Sequence, residues 1–244
     1  MFLMMILRLV VLFLFTSVTV LFVILFYTFV PRKYWVYCVR SWANVTVKLA
    51  GVKGEAIGDV GNYVGANIMV VANHISWLDI PIIYTQYFVG FIGRSEMKKW
   101  PLLNILIKSG GTIFINRKSK RELIHINDTV SKKLIDGAVI GLFPEGKTGD
   151  GLDLKPFKPA ILEAAIMAKS VIIPLVIRYY GKNGKLTTAV TYEGNITLWQ
   201  SIKNTLRLNG LKVKVIQLPQ VMASNFNNRE ELAAYLYTQM KNNI

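Results

Sequence analysis

One cysteine, two histidines and 14 acidic residues are spread over 244 positions, and each scarcity removes a class of explanation. With Cys38 alone, no intramolecular disulfide can form, which fits a reducing compartment. Cys38 itself reads as a small apolar residue rather than a nucleophile. His74, His125 and Cys38 stand in unrelated surroundings and make no zinc-ligand set, so no metal ligand is assigned. No Gly-x-Ser-x-Gly elbow occurs, which argues against a serine nucleophile on a strand-to-helix turn. The 14 acids face 29 Lys and Arg, a formal net charge of +15, so the chain prefers polyanions. Nucleic acid is disfavoured for want of any recognisable binding motif. An anionic membrane surface or a phosphorylated ligand fits better.

Charge is also missing locally. From Leu9 to Val30, 22 residues run without a charge, broken only by Thr16, Ser17, Thr19 and Thr28. At about 1.5 Å per residue such a helix covers the ~30 Å hydrocarbon core. It reads as a retained membrane anchor, since a cleaved signal needs a shorter apolar region and a small-residue cleavage site. Arg8 on one side and Arg32, Lys33 and Arg40 on the other place the body at the cytoplasmic side of the inner membrane. Lys33–Leu49 carries a helical stripe of Trp35, Cys38/Val39, Trp42, Val45 and Leu49, with Arg40, Asn44 and Lys48 on another face. It reads as an interfacial helix, the alternative being a surface helix packed on the domain. A single span and an N-terminal hairpin both fit. The expected parts are an anchor over 1–32, an interfacial helix and connector over 33–65, and one domain over 66–244.

Beyond the Gly-rich connector, strand-like and helix-like segments alternate. Strands are expected at Ile68–Ala72, Gly90–Gly93, Thr112–Ile115, Ala138–Phe143, Val171–Ile177, Leu186–Tyr192 and Val213–Leu218. Helices are expected at Asp79–Tyr87, Lys98–Lys108, Ser119–Ile135, Pro159–Ala168 and Arg229–Lys241. Continuous apolar strands imply a sheet covered on both faces. The fold class is therefore α/β, with a mixed, largely parallel sheet flanked by helices.

Asn73-His74-Ile75-Ser76-Trp77-Leu78-Asp79 follows the first of these strands. A His with a nearby carboxylate is minimal equipment for general-base catalysis, because the acid fixes the tautomer and stabilises the imidazolium. Residues five apart do not share a helix face, so His74 must sit in the turn and Asp79 at the helix start. Ser76 reads as a capping hydroxyl. Three later segments join this one: Gly110-Gly111-Thr112-Ile113-Phe114-Ile115-Asn116-Arg117, Leu142-Phe143-Pro144-Glu145-Gly146-Lys147-Thr148, and Val171-Ile172-Ile173-Pro174-Leu175-Val176-Ile177.

In that order the four segments resemble the conserved blocks of the glycerolipid acyltransferase family, which includes the 1-acylglycerol-3-phosphate acyltransferases. The resemblance implies a membrane-bound enzyme that moves a fatty acyl chain from a thioester to the free hydroxyl of lysophosphatidic acid. It implies His74 as general base and Asp79 as its partner, with no covalent intermediate. Acyl-CoA or acyl carrier protein would be the co-substrate, with no other cofactor. Asn73, Gly111, Arg117, Pro144, Glu145, Gly146, Lys147 and Thr148 fall at substrate-binding positions and Pro174 at a supporting one. A guanidinium at Arg117 could hold phosphate oxygens bidentately. The third block departs from the family: many phosphatidate-forming members carry Thr-Arg-Ser after Glu-Gly, where this chain has Lys147-Thr148-Gly149. That keeps other acceptors open, such as lyso-ornithine lipid or lysophosphatidylcholine. A non-enzymatic lipid-binding protein and a thioester hydrolase are further alternatives. The cations Arg94, Lys98, Lys99, Lys108, Arg117, Lys118, Lys120 and Arg121 read equally as an anion-facing surface or a solvated one.

Overall fold

The computed structural model describes residues 2–57, 66–100, 103–115 and 120–244. Arg117, Lys118 and connector residues 58–65 lie outside them. Among the described residues eight strands form one sheet: β1 (Val52–Ile57), β2 (Ile68–Ala72), β3 (Gly90–Arg94), β4 (Ile113–Ile115), β5 (Val139–Leu142), β6 (Val171–Tyr180), β7 (Leu211–Gln217) and β8 (Val221–Met222). Their order is β1-β7-β6-β2-β5-β3-β4, with β8 also beside β6. β6 runs antiparallel to β7 and β8, and the other neighbours are parallel. Helices are α1 (Phe2–Phe26), α2 (Arg32–Leu49), α3 (Asp79–Gln86), α4 (Leu103–Ser109), α5 (Lys120–Ile135), α6 (Leu162–Met167), α7 (Leu198–Arg207) and α8 (Arg229–Lys241).

All five residues of β2 are buried. Ile68, Val70 and Ala72 enter a core shared with α2 and α3, whereas Met69 and Val71 enter one shared with α5, α6 and α8. A continuous apolar run satisfies both cores because successive side chains point to opposite faces. Each large side chain so buried contributes about 1.5–3 kcal/mol. Pro174 lies inside this sheet, where a missing N–H is normally costly. It sits where the neighbour of β6 changes from β8, paired at Val171 and Ile172, to β7, paired from Leu175 onward. Its carbonyl accepts from Leu218 N (2.9 Å), and neither β7 nor β8 has a residue in register with it, so its missing N–H falls in the gap between them.

α1 is long and apolar enough to cross a membrane by length and composition, and most of its surface is exposed. Its inner flank is nevertheless docked. Arg8, expected only as a flanking charge, donates to the carbonyls of Leu206 (3.1 Å) and Leu208 (2.6 Å) at the end of α7. A cation is favourable there because helix C-terminal carbonyls lack internal partners. The stripe expected on α2 packs on the domain at Trp35, Cys38, Val39 and Trp42, joined by Ala43 and Val47, while Val45 is exposed.

Other expectations need correction. Leu186–Tyr192 is not a strand; only a single bridge, Tyr180 to Leu186, forms there. β1 lies where only a connector was expected, paired along its length with β7. The Lys98–Lys108 helix is instead a 3-10 turn, Ser95–Lys99, followed by α4. Trp100 precedes a proline, which biases it away from helix. α7 was not expected, although a Thr197–Gln200 capping box and the Leu198, Ile202 and Leu206 spacing mark it; its buried Ser201 and Thr205 hydroxyls bond the carbonyls of Val190 (2.8 Å) and Ser201 (2.9 Å).

Candidate active site

The carboxyl ends of β2, β5 and β6 meet in one region, the usual place for a site in an α/β sheet. His74 lies in the turn after β2, and Asp79 is the first residue of α3. His74 Nδ1 is 2.8 Å from Asp79 Oδ2. The same oxygen accepts from the backbone N–H groups of Ile75 (2.6 Å) and Ser76 (2.8 Å). Asp79 Oδ1 accepts from the Tyr179 hydroxyl at 2.7 Å. Asp79 is wholly buried, and a buried carboxylate is tolerated only when hydrogen-bonded in this way. With a carboxylate, which only accepts, on that side, the shared proton belongs to Nδ1 and Nε2 is left as the ring's acceptor nitrogen.

The ring is held on other sides too. His74 stacks on Phe143, with centroids 4.1 Å apart and planes 12° apart, and meets Tyr192 edge-on at 6.3 Å. Phe143 in turn stacks on Phe91 at 5.3 Å. Gly141 makes room for that column, since a Cβ there would lie 2.6 Å from the Phe91 ring. The His74 side chain remains 14% exposed. Its Nε2 makes no hydrogen bond among the described residues.

The backbone of His74 is clamped as well. Its N–H donates to Glu145 Oε1 (2.7 Å), and its carbonyl accepts from Gly149 N (2.7 Å). Glu145 Oε2 accepts from Lys155 N at 3.0 Å. Burial pushes the Glu145 carboxyl above its ordinary value, and the two backbone N–H groups act against that rise. Both oxygens are therefore engaged by main chain.

Several residues expected to bind substrate find their partners inside the protein. The Asn73 amide accepts from Ile177 N (2.7 Å) and donates to Ile177 O (3.0 Å), extending the β2–β6 seam by one side chain. Gly111, at φ +77°, ends α4: its N–H bonds Lys108 O, and Thr112 N reaches Ile107 O. That is the Schellman arrangement, which favours glycine. Thr148 Oγ1 donates to Tyr192 O (3.0 Å), and its carbonyl accepts from Lys155 Nζ (2.6 Å). Lys155 Nζ also pairs with Glu193. Pro144 is buried, and its carbonyl accepts from Lys158 N (2.8 Å). Gly146, at φ +73°, lies under the Lys158 side chain, whose Nζ would stand 3.1 Å from a Cβ there. Lys147 and Lys158 are exposed. His125 is remote from this cluster in sequence and sits 3.9 Å from Asp128 on the exposed face of α5.

Tyr179, Phe143, Lys155, Tyr192 and Lys158 were not expected in the site. Phe143 was within reach, as it lies inside the third block. Tyr179 carried a weaker signal, its place on the fourth-block strand two residues past Ile177.

A family model described as Acyltransferase matches residues 53–178. A 1-acyl-sn-glycerol-3-phosphate acyltransferase of Neisseria gonorrhoeae is 36% identical over 185 residues, covering 73% of this chain and 72% of that protein. A lyso-ornithine lipid O-acyltransferase of Rhizobium meliloti is 28% identical over 215 residues, covering 83% and 72%. The crystal structure of the 1-acyl-sn-glycerophosphate acyltransferase PlsC from Thermotoga maritima superposes with a TM-score of 0.73 at 22% identity, over 98% of this chain and 95% of that one, a likeness of fold. The extent of the family match and the Neisseria relative settle the assignment: the chain belongs to the Acyltransferase family and is an enzyme of the 1-acylglycerol-3-phosphate O-acyltransferase-like kind.

Proposed function

We propose that this enzyme moves a fatty acyl group from a thioester donor to the free hydroxyl of a lysophospholipid, with lysophosphatidic acid as acceptor and phosphatidic acid as product. The observation that carries the reading is the buried, fully bonded Asp79 behind His74 Nδ1, with Nε2 left over. His74 Nε2 takes the proton of the acceptor hydroxyl as its oxygen attacks the thioester carbonyl. The imidazolium so formed is stabilised by Asp79. Collapse of the tetrahedral intermediate breaks the C–S bond, and the proton passes from His74 to the departing thiolate. No enzyme nucleophile is required. The donor is the acyl thioester of coenzyme A or of acyl carrier protein, and the apolar face of α1 holds the site at a membrane where lyso-lipid is concentrated.

A second reading, acylation of lyso-ornithine lipid, draws on the relatives of that name and on Lys147-Thr148 standing where Thr-Arg-Ser is usual. An acceptor panel on the purified chain in detergent or lipid, with each donor offered, separates them. Highest kcat/KM on lysophosphatidic acid supports the first reading. Highest kcat/KM on another lyso-lipid replaces it, and thioester cleavage without any acceptor contradicts both.

A further inference from the structure

Asp79 has two oxygens, and only one faces His74. Oδ2 already serves three donors. Oδ1 depends on one side chain among the described residues, the Tyr179 hydroxyl at 2.7 Å. Tyr179 is 2% exposed and projects from β6. Two residues earlier on the same strand, Ile177 is locked to Asn73 by both its N–H and its carbonyl. The phenol therefore hangs from a backbone fixed against the strand that carries His74. Burial, the Asp79 charge and the bond to Asp79 together hold its ionisation well above the ordinary phenol value, so its O–H stays a donor across the working range.

We propose that Tyr179 is a positioning residue for the general base: it fixes Asp79 through Oδ1 and draws off part of the carboxylate charge, and so sets the pH at which His74 can accept a proton. The inference rests on the general-base reading above. A carboxylate relieved of one strong donor concentrates its charge toward the imidazole and favours the imidazolium. The other titratable or charged groups near the pair are Glu145 from the turn after β5, Tyr192 beside the ring, and the Lys155–Glu193 pair behind them. None of these bonds Asp79 Oδ1.

The test is Tyr179→Phe, which removes one oxygen and keeps the ring. The expected result is an acidic limb of the kcat/KM–pH profile moved up by about 0.5–1 unit. With it goes a loss in kcat on the order of tenfold and an acceptor KM changed by less than about twofold. A uniform loss with an unmoved limb, or a limb moved down, overturns the proposal. Should Y179F fail to fold, 3-fluorotyrosine placed at 179 decides the matter. It is a stronger donor of nearly the same shape, and it must move the limb to lower pH; an unmoved limb overturns the idea. His74→Ala separates the two levels of the argument. Transfer retained in H74A defeats the general-base reading itself, whereas a dead H74A with an unmoved Y179F limb defeats only the role of Tyr179.

Discussion

Around His74, the buried carboxylates and the Asn73 amide are satisfied by the protein itself, while at the turn after Glu145 the ammonium groups of Lys147 and Lys158 are exposed and make no ion pair among the described residues. Asp79, Asn73 and Glu145 are each at most 3% exposed, and both oxygens of each carboxylate accept internal donors. The first region cannot change cheaply, because a buried donor or acceptor left unpaired costs about 1–3 kcal/mol. The second can, because an exposed cation exchanges one partner for another at little cost. In this account the chemistry of acyl transfer belongs to the buried region and acceptor preference to the exposed one.

Asp79→Asn strikes the buried region hardest. It places an amide where three donors converge, and it costs His74 its tautomer control. A drop in kcat of roughly 10²–10⁴-fold is expected, with the acceptor KM little changed. Near-normal kcat in a folded D79N protein would move the acid out of the mechanism. Glu145→Gln comes next. Its amide NH2 must face the N–H of either His74 or Lys155, so one bond turns into repulsion. Thermal unfolding is expected to show a loss of about 1–3 kcal/mol, with kcat down on the order of tenfold and the acceptor KM nearly constant. If E145Q instead raises the acceptor KM and leaves kcat alone, Glu145 belongs with the exposed cations. The smallest effect is expected from Lys147→Ala with Lys158→Ala: a KM for lysophosphatidic acid raised by about twofold to tenfold, unchanged kcat, and an effect that shrinks with added salt. An equal change with a zwitterionic acceptor would mean these lysines do not read the phosphate.

The central strands were legible because continuous apolar runs leave few alternatives, and once His74 and Asp79 are taken as partners, helix periodicity puts the first in the turn and the second at the helix start. What escaped reading did so for physical reasons. α7 is the exception, since Leu198, Ile202 and Leu206 recur at helical spacing behind the Thr197–Gln200 capping box and were there to be read. β1 has one buried residue, Val52, and five exposed ones, and its partner β7 follows about 160 residues later. Leu186–Tyr192 has strand-like composition, but beyond the bridge at Leu186 it pairs with no strand. In the site, His74, Asp79, Asn73 and Glu145 come together, and several of the motif residues bond within the protein. Asn73, Gly111 and Thr148 lie within matching blocks yet direct their bonds or their turn to the protein. Tyr179 completes Asp79 from 100 residues away, a relation only the β2–β6 register creates.

The central claim is that His74 is the base, and it is tested most directly by His74→Ala assayed for acyl transfer from acyl-CoA to lysophosphatidic acid in lipid, with folding verified by melting. The account predicts a folded protein whose transfer rate falls at least about a thousandfold at every pH. Transfer within about tenfold of the parent enzyme would contradict it.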